Sequence, residues 1–200
     1  AGEGCAVTVV DTRPTSLASL RGRAADAGVG DRIEAVQGDT ESLDQVTPRG
    51  GADLVLGHGL LEVVDDVPRA LASLAAATAP GGAVSVLVSN RHAAVLARAI
   101  SGRMEEALRL FRDPDGRLDT ATDPLLRRFD SDELSRTLQR AGLVVELVQG
   151  QGLFRDVVPG TVLEDSPGAA ESLAELERLA ATRPPLRDLA TRLHALGRVG

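Results

Sequence analysis

The sequence predicts an α/β protein built on a doubly wound, mostly parallel sheet, and three observations carry that expectation. Between Leu54 and Asn90 the chain reads strand, polar loop, amphipathic helix, Pro-Gly-Gly turn and buried strand, a helical crossover of the kind that joins parallel strands. Ahead of it, AVTVVD (6–11) and RIEAVQ (32–37) are short apolar runs separated by a helical pattern. Strands alternating with helices argue for helices on both faces of one sheet.

Each element has its own local reason. AVTVVD is β-branched and ends in an acid. Thr15 opens a helix to about Ala27, with Leu17, Leu20 and Ala24 on one face and Gly28 as the stop. GDTESL follows the second strand. Ala52 to Leu56 form the third, after which Gly57, His58 and Gly59 lie in the loop. Val67, Leu71, Leu74 and Ala75 recur at helical spacing, and Pro80-Gly81-Gly82 is expected to end that helix and lead into a strand over Ala83 to Val88. A helix follows Asn90 to about Leu110, with a break at Ser101-Gly102. The polar segment from Phe111 to Asp130 reads as a lid or loop. Asp130 or Ser131 caps a helix to Ala141, and Leu143 to Val148 is the next strand.

The chain has 200 residues, 43% of them hydrophobic, which suits one domain with a sizeable core. No apolar run is long enough to cross a bilayer. Cys5 is the single cysteine. It has no partner for an internal disulfide, is expected to be a small buried hydrophobe, and favours a reducing cytoplasm. The formal net charge is −7, which argues against indiscriminate nucleic-acid binding. The chain has no lysine, so any side-chain cation that holds a phosphate or carboxylate must be an arginine. There is no zinc-type Cys/His cluster, P-loop or G-x-S-x-G. Asp65-Asp66 fits a helix start better than a metal site.

In parallel sheets ligands sit beyond the carboxyl ends of the strands, which here are Asp11, the GDTE loop (38–41), His58 and Asn90. Asp11 suits a carboxylate that accepts from both hydroxyls of a ribose, with Thr12 beside it; the alternative is a strand-end acid in the turn Asp11-Thr12-Arg13-Pro14. Asp39 and Thr40 are either ligand contacts or caps of a following short helix. His58 is either a ligand-edge imidazole or a structural one.

The segment HGLLEVVDD followed by PGGAVSVLVSN resembles class I S-adenosylmethionine-dependent methyltransferases, and more narrowly the bacterial tRNA 5-carboxymethoxyuridine methyltransferase family. RHAAVLARAISG, GLFRDVVPG and SLAELERLAATRPPLRDLATRLHALGRV extend the resemblance over nearly the whole chain. It implies a Rossmann-like fold over residues 1–200 with a last strand near Leu193 to Val199, antiparallel at the sheet edge, and a helical insertion over 160–187. It implies S-adenosylmethionine as cofactor, with Asp11 and Thr12 on the ribose, Asp39, Thr40 and Glu41 at the adenine, and His58 at the methionine part or facing the acceptor. Asn90, Arg155 and Arg187 or Arg192 are the candidate substrate contacts, the alternative for each arginine being a surface residue paired with Asp156 or Asp188, and no catalytic base is assigned. The implied acceptor is the carboxylate of 5-carboxymethoxyuridine at the tRNA wobble position. A small-molecule acceptor is the alternative enzyme reading, and a non-catalytic methyltransferase-like binding module the third. The family's first strand and glycine-rich loop have no counterpart before AVTVVD, so a further strand is expected upstream of Ala1.

Overall fold

The computed structural model describes residues 1–40, 42–161 and 166–200. The strands are β1 (Val7–Asp11), β2 (Ile33–Gln37), β3 (Ala52–His58), β4 (Thr78–Ser89), β5 (Val144–Gln151) and β6 (Arg192–Arg198). The helices are α1 (Pro14–Asp26), α2 (Leu43–Val46), α3 (Val67–Ala77), α4 (Arg91–Ile100), α5 (Met104–Arg112), α6 (Ser131–Arg140) and α7 (Ala169–Ala180). β1 and β2 form a parallel pair, with Asp11 opposite Gln37. The other four strands form a second sheet in the order β3-β4-β6-β5. β3 and β4 are parallel, and β6 runs antiparallel to both β4 and β5.

Local chemistry explains most boundaries. Asp66 and Asp130 cap α3 and α6, their carboxylates accepting from the N–H groups of Arg69 at 2.9 Å and Glu133 at 2.7 Å. Gly102, at φ +75°, lets the chain turn from α4 into α5. α3 and α6 lie on one face of the four-stranded sheet, where Leu71, Leu74, Leu134 and Leu138 pack with Val84, Val86, Val88, Leu193 and Ala195. Val10 of β1 and Leu43 of α2 join this core. By strand alternation the other face carries Leu54, Leu56 and His58 of β3, with Leu54 and Leu56 53% and 59% exposed.

Five expectations are corrected. The antiparallel strand is not at the edge: β6 lies between β4 and β5, because residues 192–198 find ladder partners on both sides. Pro80-Gly81-Gly82 does not end α3. The helix stops at Thr78, whose extended backbone opens β4 and whose hydroxyl donates to the carbonyl of Leu74. Arg13, not Thr15, stands at the start of α1, since Pro14 at the first helical position presets φ and has no N–H to satisfy. Of the lid or loop expected over Phe111 to Asp130, the structure shows a packed-down loop that begins only at Asp113, because α5 runs to Arg112. Phe129 is 2% exposed, and Arg128 and Asp123 form an ion pair with both side chains 6% exposed. Cys5 is exposed and precedes β1. Among the described residues no helix is long and apolar enough to cross a membrane.

Candidate functional site

Parallel ladders bring the carboxyl ends of β1 and β2 together, and likewise those of β3 and β4. Asp11 is the last residue of β1. Its Oδ1 accepts from the Arg13 N–H at 2.8 Å and the Arg13 Nε at 3.4 Å, while Oδ2 has no partner among the described residues. The backbone N–H of Arg13, and then its guanidinium, hold the Asp11 carboxyl below its ordinary range. A strand-end carboxylate with one oxygen already oriented and the other open is the acceptor that a ribose diol requires. Thr12, exposed beside it, accepts at its carbonyl from the Gln37 amide at 3.2 Å.

The loop after β2 begins at Gly38, where a Cβ would stand 3.3 Å from Val10 and 3.4 Å from the Ser42 hydroxyl. Asp39 folds over that loop, its Oδ1 accepting from both the N–H and the hydroxyl of Ser42 at 2.8 Å. This is not the expected cap of α2, whose N-cap is Ser42 with no side-chain cap hydrogen bond; the contact instead ties Asp39 to Ser42 across the loop at the β2 end. Thr40 is half-buried in the same loop. Glu41 lies outside the described residues.

β3 runs two residues further than expected, so His58 is its last residue instead of a loop residue. Its Nε2 lies 2.9 Å from the hydroxyl of Ser85. Gly57 has no room for a side chain, because a Cβ would stand 2.8 Å from Leu74, and Gly59 takes φ +67° in the turn beyond. Glu62 then reaches back to the end of β4, where Oε1 accepts from the Ser89 N–H at 2.8 Å and its hydroxyl at 3.2 Å. Glu62 is 4% exposed and its Oε2 is a buried oxygen without a partner. Composition or periodicity carries no signal for this tie between turn and strand; it depends on β3 and β4 ending side by side. Glu62→Ala should lower folding stability by about 1–3 kcal/mol, because it strands the Ser89 donors in a buried place. Chemical denaturation of parent and variant measures this.

Asn90 is 1% exposed and fully engaged by the fold. Its amide nitrogen donates to the carbonyls of Asp188 at 2.8 Å and Ala190 at 2.7 Å, and its Oδ1 accepts from the His92 N–H at 3.0 Å. The structure thus gives Asn90 the N-cap of α4 and a clamp on residues 188–190, in place of the expected substrate contact. Arg187 is held similarly, with Nε 2.9 Å from Asp188 Oδ1 and the far end of its guanidinium 3.4 Å from the Ser131 hydroxyl. Burial pushes the Asp188 carboxyl up, but the hydrogen bonds from Arg187 and Ser131 outweigh it and hold the group below its ordinary range. Arg155 differs. Glu177 of α7 accepts from the N–H groups of Leu153, Phe154 and Arg155 at 3.2, 2.8 and 2.7 Å and so fixes the backbone there. The Arg155 guanidinium itself carries no hydrogen bond or ion pair among the described residues. Arg192 is exposed at the start of β6.

Among the described residues no three His, Cys, Asp or Glu side chains gather as a metal site. A surface depression of about 260 Å³ between α2 and α3, lined by Asp44, Thr47, Arg49 and Arg69, lies off the strand ends.

Residues 1–82 match the family model described as a methyltransferase domain. The fold is similar to that of an S-adenosylmethionine-dependent methyltransferase from Mesorhizobium loti, with 21% identity, a TM-score of 0.59, and coverage of 96% of this chain and 79% of that one. The fold is that of class I methyltransferases. The chain is also similar to geranyl diphosphate C-methyltransferase from Streptomyces coelicolor A3(2), solved with S-adenosyl-L-homocysteine. There the identity is 13%, the TM-score 0.57, and coverage 98% of this chain and 63% of that one. No curated protein sequence matches the chain.

The donor set fits the cofactor: Asp11 has an open carboxylate oxygen, the Asp39–Ser42 loop is ordered by its own hydrogen bonds, and the glycines around His58 keep that strand end narrow. S-adenosylmethionine, when bound, supplies a methyl group on a sulfonium centre. The chain's part would be to bind and orient it, and the residues that would do so are Asp11 for the ribose and the loop after Gly38 for the adenine.

Proposed function

We propose that the chain is an S-adenosylmethionine-dependent methyltransferase that acts on a carboxylate, that of 5-carboxymethoxyuridine at the wobble position of tRNA. The observation behind this reading is the Arg155 guanidinium, without a partner among the described residues, on a backbone that Glu177 holds in place. A carboxylate is ionised at pH 7 and needs no general base, so an in-line attack depends on proximity and orientation, for which a guanidinium fork is suited. The resemblance of GLFRDVVPG and its neighbouring blocks to the tRNA-modifying family supports the same acceptor. A tRNA acceptor implies a cytoplasmic enzyme. The same reading takes residues 1–200 as one methyltransferase domain with 160–187 as an insertion.

A small-molecule acceptor is favoured by a different observation, the net charge of −7, which opposes a polyanion. The similarity in fold to the geranyl diphosphate enzyme supports the same reading. Arg155→Ala is expected to lower methyl transfer to tRNA bearing 5-carboxymethoxyuridine roughly tenfold, the loss of one charge-assisted contact, with cofactor affinity unchanged. Binding of that tRNA should weaken as salt rises. Mass spectrometry of nucleosides from a deletion strain decides between the acceptors: wobble uridines that keep their methyl ester would exclude tRNA.

A further inference from the structure

On the face of the sheet opposite α3 and α6, a row of polar side chains crosses all four strands. His58 Nε2 of β3 lies 2.9 Å from Ser85 Oγ of β4. The same oxygen lies 2.7 Å from His194 Nε2 of β6, and His194 Nδ1 lies 3.2 Å from the Gln149 amide of β5. The two imidazoles stand edge to face, with centroids 5.9 Å apart. Ser85 is 4% exposed, so its hydroxyl has no bulk water to replace either imidazole.

The chemistry of the row is restrictive. A serine hydroxyl has one proton to give. Between two Nε2 atoms, it donates to one imidazole and accepts from the other. With the Gln149 amide nitrogen on Nδ1 of His194, that ring carries its proton on Nε2, donates to Ser85, and Ser85 donates to His58. His58 then holds its own proton on Nδ1, the ring nitrogen outside the row. Turning the Gln149 amide over reverses every bond and leaves His58 Nδ1 bare. We propose that His58, Ser85, His194 and Gln149 form a proton relay that holds one extra proton, so that the ligand-edge imidazole and the one inside the sheet are not charged together.

The proton balance is explicit. In the reversed arrangement His58 takes a proton at Nδ1 and passes the one on Nε2 to Ser85, whose hydroxyl proton moves to His194 Nε2. The charge ends on His194 and His58 is again neutral. A second proton would leave two Nε2–H groups directed at one oxygen and two cations within the same row. The other ionisable groups on this face are Arg192 and Arg198 of β6 and Glu146 of β5, with Arg198 and Glu146 paired at 2.7 Å; β4 contributes none. Burial, and then the charge of His58, lower the affinity of His194 for a proton, consistent with the geometry. The relay does not depend on the identity of the methyl acceptor.

The test is a pH titration of the histidine side chains by nitrogen-15 NMR on the full chain. It has three histidines, and His92 on α4, outside the row, is the internal reference. His58 and His194 should titrate in two coupled steps, the second proton binding about tenfold or more weakly than the first. Ser85→Ala should change the midpoints and tautomers of both rings and leave His92 unmoved. His194→Gln, the second variant to be measured, should leave His58 with a single uncoupled step. Independent single-step curves for His58 and His194 in the parent, or a His58 curve unchanged in either folded variant, would overturn the relay. These readouts do not involve methyl transfer, so they separate failure of the relay from failure of the acceptor assignment.

Discussion

Replacing Asp11 by alanine is expected to weaken S-adenosylmethionine binding about tenfold to a hundredfold, the range for losing a charged acceptor of hydrogen bonds. The carboxylate stands at the end of β1 with Oδ1 held by Arg13 and Oδ2 open. Removing it takes the ionised partner from the ribose side without disturbing the core. Calorimetry on parent and variant gives the comparison, and circular dichroism reports whether the fold is kept. Unchanged affinity in a folded variant would make Asp11 a turn-stabilising acid only. The pH dependence has a definite sign. Because Arg13 holds the Asp11 carboxyl below its ordinary range, the group stays ionised as pH falls through that range, and its contribution to binding is lost only in more acidic solution.

The largest loss of stability is expected for Phe129→Ala, about 3–5 kcal/mol, the usual range for truncating a buried aromatic. Phe129 is 2% exposed and packs in the main core. Its backbone also ties two segments together: its N–H donates to the Ser89 carbonyl at 3.1 Å, and its carbonyl accepts from the Arg91 N–H at 2.9 Å. The truncation therefore leaves a cavity directly behind the end of β4. Urea unfolding should show a lower midpoint with the slope nearly unchanged, since the surface exposed on unfolding hardly differs. A loss below about 1 kcal/mol would mean that the surroundings collapse into the space.

Local signals in the chain were sufficient for the strand-helix alternation, the caps at Asp66 and Asp130, the break at Gly102 and the strand-end position of Asp11. Each depends on residues within a few positions of one another: a side-chain oxygen near free N–H groups, a glycine where φ is positive, or a β-branched run. The same local logic failed at Pro80-Gly81-Gly82. Thr78 and Ala83 pair with β3 on either side of a register irregularity that holds these three residues, and Gly81 and Gly82 bond the backbone of Val199 instead. That logic was incomplete at Phe111 to Asp130, where the polar composition allowed a lid or a loop. Phe129 and the Arg128–Asp123 pair are buried by partners distant in sequence or by folding of the segment itself.

Which ligand-edge side chains are open is likewise a tertiary property. Asn90 and Arg187 look as available in the sequence as Arg155, yet carbonyls at 188 and 190 and the carboxylate of Asp188 hold the first two, while Arg155 has its backbone fixed and its side chain without a partner among the described residues. The position of β6 between β4 and β5 was also beyond local reading, because an antiparallel strand can pair on either side and only the competition among ladders selects one. That placement brings His194 beside Ser85 and joins it to His58 from 136 positions away in the chain. By itself the sequence determined the element types, the crossover and the strand-end acid, because these follow from short-range sterics and hydrophobic periodicity. Only the tertiary structure decided strand order, the burial of the polar segment, and which polar groups are already satisfied, because each of these depends on contacts between residues far apart in the chain.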